Sequence, residues 1–543
     1  MFIAPDGNAR FAADCHANME FNNIIVVGGG TSGWMAAISL ASYLPDKRIT
    51  VIDPASISPI GVGEATTGVV QRFVNDPRHR LSQQDLFRHC DTTLKLGVWY
   101  KDWQGAGTDY PTPIDAPFRW FPHTYGQDGE DFYALAAADG QALGDIQIHA
   151  ILMRLNKTDL IRQPDGAISD QYADPSCHFD ALQFAAWLKR VAPSRENIVH
   201  VDDVVTSFDQ DATTGHIRSV TTEQGQTFAG DFFLDCTGFR RQLLQPAYTP
   251  AWIDYSRHIR VDSAIPFFTP HDDAADIPVF TAAQALRHGW MWRLPTQSRM
   301  GNGYVYSSSY VSDENAVREL QQAGFDVGET PRIIRFQPGR FKSQWQGNVC
   351  ALGLAGGFLE PLEATTIHIT SVQIKALAEL YLPFYTSAAA AVFARDFNRL
   401  MQSMYDDFVD FISIHYHAGR EDSEFWRDYQ RDDSITATNL ERREKWQYRF
   451  PVREDLTPIN TSRLHLVAGM PVWMPTLSGL GYLQPRQAQQ FCRTSPFPTQ
   501  AQENAQRYLR MREVICRNPV SHRDAIAYLR GESRGTPAAA PMN

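Results

Sequence analysis

Hydrophobic and polar residues alternate in blocks that predict strands and helices in turn. Four apolar residues at 24–27 predict a short buried strand, which a glycine-rich turn follows. Apolar residues then recur at helical spacing from Trp34 to Leu44, and Pro45 ends that pattern. A second apolar run at 49–52 predicts another strand. Strand, turn, helix and strand in this order are typical of an α/β fold.

Further strands are predicted in the middle of the chain. Residues 201–208 and 217–222 have the composition of strands on either side of a turn at Gly215, and residues 227–234 predict another. Residues from roughly 255 to 350 carry further strands and are assigned to a separate sheet.

The last part of the chain has a helical pattern. Apolar residues from Phe393 to Ile412 indicate an amphipathic helix, and a mostly helical remainder continues to about residue 530. We find no internal repeat. The predicted organisation is an extension at 1–22, a core at 23–390, a mostly helical part at 391–530 and a disordered Gly/Pro/Ala-rich tail at 531–543.

Composition and charge narrow the function classes. The 543 residues are 43% hydrophobic and 20% charged, as in an ordinary globular protein with a large core. A net charge of -11 without a long basic stretch argues against a nucleic-acid partner. We therefore expect the surface charge to keep the protein in solution and to say little about its substrate.

The seven cysteines are widely separated and form no C-x-x-C pair, so the sequence indicates neither a metal site nor a disulfide framework. Residues 1–20 lack the pattern of a signal peptide, and no apolar run has the length needed to cross a membrane. A cytoplasmic protein without membrane association is the expectation.

The glycine-rich turn matches the G-x-G-x-x-G pattern of dinucleotide-binding sites. Gly28 permits the tight turn, Gly30 lets a pyrophosphate approach the backbone, and Gly33 lets helix and strand pack closely. Thr31 lies in the turn, where the helix offers free amides to phosphates. Asp53 ends the second strand, where a carboxylate binds ribose hydroxyls. The chain is therefore predicted to bind a dinucleotide.

Three further motifs accompany this turn. Residues 289–295 read GWMWRLP, and in a strand Trp290 and Trp292 point to the same side, a pattern that is most often core packing. Residues 61–66 read GVGEAT, which two close glycines keep from being a regular strand or helix. Residues 360–366 read EPLEATT, where a helix start also accounts for the carboxylates.

Together these motifs resemble those of flavin-dependent halogenases, in the tryptophan/indole branch. That family has W-x-W-x-I-P, with Leu294 here in place of Ile, and E-P-L-E-S-T-G, with Ala364 in place of Ser and Thr366 in place of Gly. The resemblance covers most of residues 22–430. It implies a glutathione-reductase-type FAD-binding fold with an added substrate-covering sheet and a mostly helical C-terminal part.

The resemblance implies FAD, used as FADH2 from a separate flavin reductase, and a halide ion. A homodimer is a family-level expectation only. By the same resemblance the cofactor-binding residues are Gly28, Gly30, Thr31, Gly33, Asp53, Glu64, Ala65, Val204, Leu354 and Ile367.

Lys95 and Glu363 are the candidate catalytic residues. On pattern alone, Lys95 between apolar neighbours is typical of a lysine that extends its ammonium to the surface. The resemblance instead makes it the amine that passes hypohalous acid to the substrate, and it makes Glu363 the carboxylate that assists loss of the ring proton. It also places the halide at the backbone of Thr365 and Thr366, where the Thr366 side chain leaves halide preference open.

The substrate implied is a small aromatic molecule. His123 and Tyr125 are the predicted stacking residues, with Trp290 and Trp292 as a wall between the substrate and the flavin. The tyrosine pair and glutamate that hold the amino-acid end of tryptophan have no match in residues 449–483, so a free indole or another electron-rich arene stays open beside tryptophan.

Three alternatives remain at this point. An aromatic flavin monooxygenase shares the fold but needs its substrate next to the flavin. Halogenases of phenolic or carrier-bound substrates usually lack the E-P-L-E pattern. A flavin-binding redox sensor or scaffold needs neither Lys95 nor Glu363.

Overall fold

The computed structural model describes residues 21–54, 64–114, 130–171, 173, 175–272, 274–431, 433–456, 469–495 and 498–532. His123, Tyr125, the glycines of the GVGEAT motif, most of the predicted extension and the predicted tail beyond residue 532 lie outside these ranges.

The strands, in chain order, are β1 Asn23–Val27, β2 Arg48–Ile52, β3 Glu64–Ala65, β4 Thr93–Lys95, β5 Gly97–Lys101, β6 Asp109–Pro113, β7 Ile161–Arg162, β8 Ile168–Ser169, β9 Ser176–Phe179, β10 Ile198–Val201, β11 Val205–Gln210, β12 Ile217–Thr222, β13 Thr227–Ala229, β14 Phe232–Asp235, β15 Trp252–Asp254, β16 Ser263–Thr269, β17 Thr281–Leu286, β18 Gly289–Pro295, β19 Met300–Tyr306, β20 Ile334–Arg335, β21 Gly339–Phe341, β22 Trp345–Gln346, β23 Val349–Ala351 and β24 Gly357–Phe358.

The α-helices are α1 Thr31–Tyr43, α2 Val69–Asn75, α3 Gln83–His89, α4 Glu130–Ala138, α5 Leu143–Ile146, α6 Ile148–Leu155, α7 Ala181–Val191, α8 Leu244–Tyr248, α9 Asp313–Gln322, α10 Thr365–Ala376, α11 Ser387–Tyr416, α12 Glu424–Tyr429, α13 Ala437–Trp446, α14 Arg453–Leu456, α15 Met470–Gly479, α16 Pro485–Thr494, α17 Pro498–Arg517 and α18 His522–Leu529.

The first sheet has the order β10-β2-β1-β14-β23-β22, with parallel pairing from β10 through to β23. The apolar residues of β1 and β2 are buried, and α1 packs between this sheet and the helices α7 and α10. The predicted strand, helix and second strand are confirmed, since apolar runs covered on both faces form the centre of a parallel sheet.

The second large sheet has seven strands in the order β20-β16-β19-β18-β17-β5-β6. Most of it comes from the predicted region of roughly 255–350, but β5 and β6 join it from residues 97–113. The parallel pairing of β5 with β17 places Val98 opposite Thr281. This contact brings the segment that follows Lys95 against the sheet that carries both tryptophans.

Two strands that the sequence predicted as continuous are interrupted, so those predictions are wrong. The predicted strand at 201–208 breaks at Val204, because β10 pairs with β2 in the parallel sheet whereas β11 belongs to the antiparallel sheet β11-β12-β13. The strand at 227–234 breaks at Gly230, where an added Cβ would lie 2.6 Å from Ile25 Cγ1. The chain changes sheets at both breaks.

The helical part matches its prediction. The amphipathic pattern from Phe393 to Ile412 lies within α11, a helix of 30 residues, and helices continue to α18. Helix α18 returns to the first half of the chain, where Leu94 N of β4 donates a hydrogen bond of 2.9 Å to His522 Nε2. Among the described residues, no helix has the length and apolar character needed to span a membrane.

Candidate active site

The glycine turn after β1 has the geometry that its sequence predicts. Gly28 has φ +100, and a Cβ there would lie 2.5 Å from the carbonyl oxygen of Cys236. A Cβ on Gly33 would lie 1.9 Å from Gly28 O. Helix α1 begins at Thr31, and its N-cap Gly30 makes no side-chain capping bond, so first-turn amides remain available to a phosphate.

Asp53 follows β2 next to this turn. Its carboxylate lies against the backbone of Gly29, where a Cβ would come within 2.1 Å of Asp53 Cγ. It accepts a hydrogen bond of 3.0 Å from Lys189 Nζ on α7. No sequence pattern links Lys189 to the turn, because 136 positions separate it from Asp53.

One cavity of about 510 Å³ connects the glycine turn to Lys95 and Glu363. Gly33 and Thr365 do not line it, since Gly33 packs beneath the turn and the Thr365 side chain is buried. The other described residues that the sequence singled out do line it: Gly28, Gly30, Thr31, Asp53, Glu64, Ala65, Lys95, Val204, Trp290, Trp292, Leu354, Glu363, Thr366 and Ile367. An elongated cleft between a phosphate-binding turn and a second sheet fits FAD.

Glu64 is half-buried at the short strand β3, on the wall of this cavity. Burial raises its pKa to about 7. Thr66 follows β3, and its side-chain hydroxyl and backbone amide both bond to the backbone of Cys177 on β9. The described end of the GVGEAT segment is thereby held by a strand that also pairs with β4.

Lys95 does not extend to the surface. The side chain is only 2% exposed, and Nζ donates a hydrogen bond of 3.1 Å to Thr66 O. Burial lowers the pKa of Lys95, and Glu363 acts in the opposite direction. The expectation of a surface-reaching lysine, which the apolar pattern alone favoured, is therefore wrong, and Lys95 is a buried lysine.

Glu363 lies just before α10 in a left-handed backbone conformation, with φ 63, and Ala364 follows with φ 56. Two successive left-handed residues without glycine are costly, and such strain is concentrated at functional sites. The carboxylate accepts a hydrogen bond from the hydroxyl of Tyr100. Burial raises the pKa of Glu363, while Lys95 and the Tyr100 hydrogen bond lower it.

The N-terminus of α10 lies at the same cavity. Its N-cap Ala364 makes no side-chain capping bond, so the first amides of the helix are open to an anion. Thr366 lines the cavity, and its carbonyl accepts a hydrogen bond from Thr370 Oγ1. The buried hydroxyl of Thr365 has no hydrogen-bond partner among the described residues.

Trp290 and Trp292 lie on the same face of β18 and form one wall of the cavity. Their ring centroids are 6.3 Å apart. The indole of Trp292 lies against Gly303 on β19, where a Cβ would be 2.0 Å from the ring. The two rings are thus part of the core and of the cavity surface at once.

Trp290 is held in place by Glu360, a residue to which its motif alone assigned no role. Its Nε1 donates to Glu360 Oε2 at 2.8 Å, and Tyr416 Oη of α11 donates to the same carboxyl group. Burial raises the pKa of Glu360 to about 7. Glu360 is the first glutamate of the E-P-L-E pattern, and that motif was the signal for it.

The fold and the cavity together define a class: a dinucleotide-binding flavoprotein whose cofactor cleft is also lined by two indoles, a buried lysine and a half-buried glutamate. The described residues contain no cluster of His, Cys, Asp and Glu that would hold a metal ion.

Comparisons with known proteins agree with this class. The family model described as Tryptophan halogenase matches residues 23–494. The chain is 35% identical to tryptophan 7-halogenase KtzQ of Kutzneria sp. (strain 744) over 430 residues, which are 75% of this chain and 78% of that protein. It is 33% identical to tryptophan 7-halogenase RebH of Lentzea aerocolonigenes over 426 residues, 75% of this chain and 78% of that protein.

Among solved structures, Xcc4156, a flavin-dependent halogenase from Xanthomonas campestris, superposes with a TM-score of 0.78 at 28% identity, covering 96% of this chain and 100% of that one. The chain belongs to the tryptophan halogenase family. It is a flavin-dependent aryl halogenase that uses FADH2 and a halide and works by way of hypohalous acid. Members of this family act on small aromatic substrates and work with a separate flavin reductase.

Proposed function

We propose that this halogenase chlorinates or brominates an indole or a similarly small, electron-rich arene, with Lys95 delivering the halogen and Glu363 accepting the ring proton. The observation that carries the proposal is the cavity that joins the glycine turn to the side chains of Lys95 and Glu363. A hypohalous acid formed at the cofactor has a route to Lys95 that stays inside the protein.

The cofactor is held by the residues around that cavity. Gly28, Gly30 and Thr31 present backbone to the pyrophosphate, and Asp53 binds the ribose hydroxyls. The remaining proposed contacts are Gly33 beneath the turn, Glu64, Ala65, Val204, Leu354 and Ile367. Reduced FAD bound there would supply two of the four electrons that O2 takes up. The halide supplies the other two as it is oxidised to hypohalous acid.

The halide is held at the start of α10. The backbone amides of Thr365 and Thr366 have no partner within the first turn of the helix, and the helix dipole favours an anion there. The Thr366 side chain lines the cavity next to this position and narrows it. We therefore propose that chloride, the smaller ion, is preferred over bromide.

Lys95 and Glu363 divide the substitution between them. The ammonium of Lys95 donates a hydrogen bond to the hydroxyl oxygen of the hypohalous acid, and its proton leaves with that oxygen as water when the ring carbon takes the halogen. Glu363 then accepts the proton from the same carbon, and the C–H electron pair returns to the ring. This proton passes from Glu363 back to Lys95 before the next turnover, which restores both residues. The net reaction converts hypohalous acid and arene to haloarene and water.

Two parts of the protein restrict the choice of substrate: the indoles of Trp290 and Trp292, and residues 449–483. Trp290 and Trp292 keep the arene away from the cofactor and let only the small oxidant pass. Residues 449–483 contain one tyrosine, Tyr482, and so offer no tyrosine pair for the amino-acid end of tryptophan. We propose an arene without that group. The stacking roles of His123 and Tyr125, a homodimer and a cytoplasmic location stay predictions.

A substrate panel tests this function. The protein is incubated with a flavin reductase, FAD, O2 and chloride or bromide, together with indole, tryptophan or phenol, and the products are read by mass spectrometry. We expect haloindole as the main product, with chloride used in preference when both halides compete. Halotryptophan as the only product would contradict the proposed substrate, and halophenol alone would move the enzyme to the phenolic branch.

A further inference from the structure

We infer that Tyr100 is a positioning residue that keeps the Glu363 carboxylate ionised and aimed into the cavity. The inference rests on the proposed role of Glu363 as proton acceptor. Tyr100 itself does not line the cavity, so any effect it has on the reaction passes through Glu363. The carrying observation is the hydrogen bond from the Tyr100 hydroxyl to Glu363 Oε1.

The ring of Tyr100 is immobilised on both faces. It stacks on Tyr110, with centroids 5.0 Å apart and an interplanar angle of 8°, and on His415, with centroids 4.6 Å apart and an angle of 12°. All three side chains are buried. A phenol held in this way presents its hydroxyl in one direction, which a surface tyrosine does not.

Within this stack, the Tyr100 hydroxyl donates its hydrogen bond to Glu363 and not to His415. The His415 Nε2 atom is 3.5 Å from Tyr100 Oη, at the outer limit of a hydrogen bond, whereas the carboxylate is in close contact with the same oxygen. Burial lowers the pKa of His415 to about 3, so its imidazole adds no positive charge to the stack. The phenol therefore acts as a donor toward the carboxylate.

The hydrogen bond is needed because Glu363 is in an unfavourable place for a charge. Its backbone is strained, and burial favours the neutral form, which cannot accept the proton of the ring. The charged and titratable groups that face it are Lys95 from β4, Tyr100 from β5 and Tyr110 from β6. Glu64 on β3, which packs against residues 362–364, lines the same cavity and adds no positive charge.

Only Lys95 and Tyr100 among these groups stabilise the ionised form of Glu363. Lys95 is also the group that gives up a proton when the halogen is transferred, so its support is lost at that moment. The Tyr100 hydrogen bond persists through the transfer. Tyr100 thus holds Glu363 ready as a base in the step in which Lys95 has become neutral.

The test compares the pH dependence of the single-turnover rate constant of halogenation for Tyr100→Phe, Tyr110→Phe and the unchanged enzyme. Removing the hydrogen bond raises the pKa of Glu363, so the acid limb of the Tyr100→Phe profile moves to higher pH by about one unit, with about a tenfold loss on that limb and recovery at alkaline pH. Tyr110→Phe removes a buried hydroxyl from the same stack and leaves the limb in place.

A second pair of variants separates this inference from the proposed function. If Glu363→Gln retains full activity, the proposed role of Glu363 is wrong. If Glu363→Gln is inactive but Tyr100→Phe has an unshifted acid limb, only the role of Tyr100 is wrong. Should Tyr100→Phe prove poorly folded, 3-fluorotyrosine at position 100 supplies a more acidic donor; we expect the limb to move to lower pH, and an unchanged limb contradicts the inference.

Discussion

Lys95, which is buried, and Glu363, which is half-buried, line one cavity, and each changes the proton affinity of the other. Burial lowers the pKa of Lys95 and raises that of Glu363, while their mutual attraction opposes both changes. In each group, the effect of burial and the effect of the partner's charge therefore oppose each other. Such a balance suits residues that exchange protons during a reaction.

Replacing Lys95 by methionine tests its role in delivery. Lys95→Met keeps most of the buried volume but removes the ammonium, so we expect haloarene formation to fall by about 10²- to 10⁴-fold while oxidant production continues. Mass spectrometry measures the product, and a small-molecule trap measures escaped hypohalous acid. The matched control is Lys101→Met at the exposed end of β5, which should leave both rates unchanged. Normal halogenation by Lys95→Met would rule out delivery by the amine.

The contact of Trp292 with Gly303 suggests a substitution that displaces the Trp292 indole from the cavity wall. A Cβ on Gly303 would lie 2.0 Å from the Trp292 ring, so Gly303→Ala should displace the indole and lower the free energy of unfolding by about 1–3 kcal/mol. We also expect more FADH2 consumed for each haloarene formed. In Gly68→Ala the new Cβ meets only Arg72 Nη1, at 3.4 Å, so neither quantity should change much. Equal coupling ratios in the two variants would argue against a role for the wall.

Thr366 predicts halide preference. Thr366→Gly removes the side chain that lines the cavity at the start of α10, and the widened site should accept the larger bromide more readily. In a competition with both halides, we expect the ratio of bromo- to chloro-product to rise several-fold, a change of about 1 kcal/mol. Ser371→Ala, on the same helix but away from the cavity, is the control. A ratio that does not change would show that this side chain has no part in selecting the ion.

The raised pKa of Glu360 leads us to predict that the stability of the folded protein depends on pH. Burial raises its pKa to about 7 from its ordinary value of 4.5, so the folded protein binds this proton more tightly than the unfolded chain does. Its contribution is therefore present at low pH and is lost as the pH rises from about 4.5 to about 7, by about 3 kcal/mol at most.

The difference between Glu360→Gln and the unchanged protein isolates this effect from other titrating groups. We expect the melting temperature of the variant, relative to the unchanged protein, to increase between pH 5 and pH 8 by about 1 °C for each kcal/mol. The exposed Glu444→Gln should show a constant difference. A constant difference for Glu360→Gln as well would mean that Glu360 titrates as it does in the unfolded chain.

Local features were predictable because their causes lie within a few residues. The turn at Gly28, the start of α1 at Thr31 and the shared face of Trp290 and Trp292 all follow from backbone geometry and from strand or helix periodicity. The burial of Lys95 was not predictable from its apolar neighbours, since the same pattern is typical of a lysine that reaches the surface.

Distant contacts required the tertiary structure. Tyr100 and Glu363 are 263 positions apart, and Leu94 and His522 are 428 apart. No periodicity connects such pairs, because their approach depends on how whole sheets and helices pack. The breaks at Val204 and Gly230 have the same origin, since each marks the point where the chain leaves one sheet for another.

The sequence by itself determined the cofactor-binding turn, the motifs that carry the family resemblance and the residue types available for chemistry, because each depends on a short run of neighbouring residues. The burial of Lys95 and the hydrogen bonds from Tyr100 to Glu363 and from Trp290 to Glu360 depend on the tertiary structure. Burial and long-range hydrogen bonds set the charge of these groups, and they exist only once the two sheets and α11 have packed together.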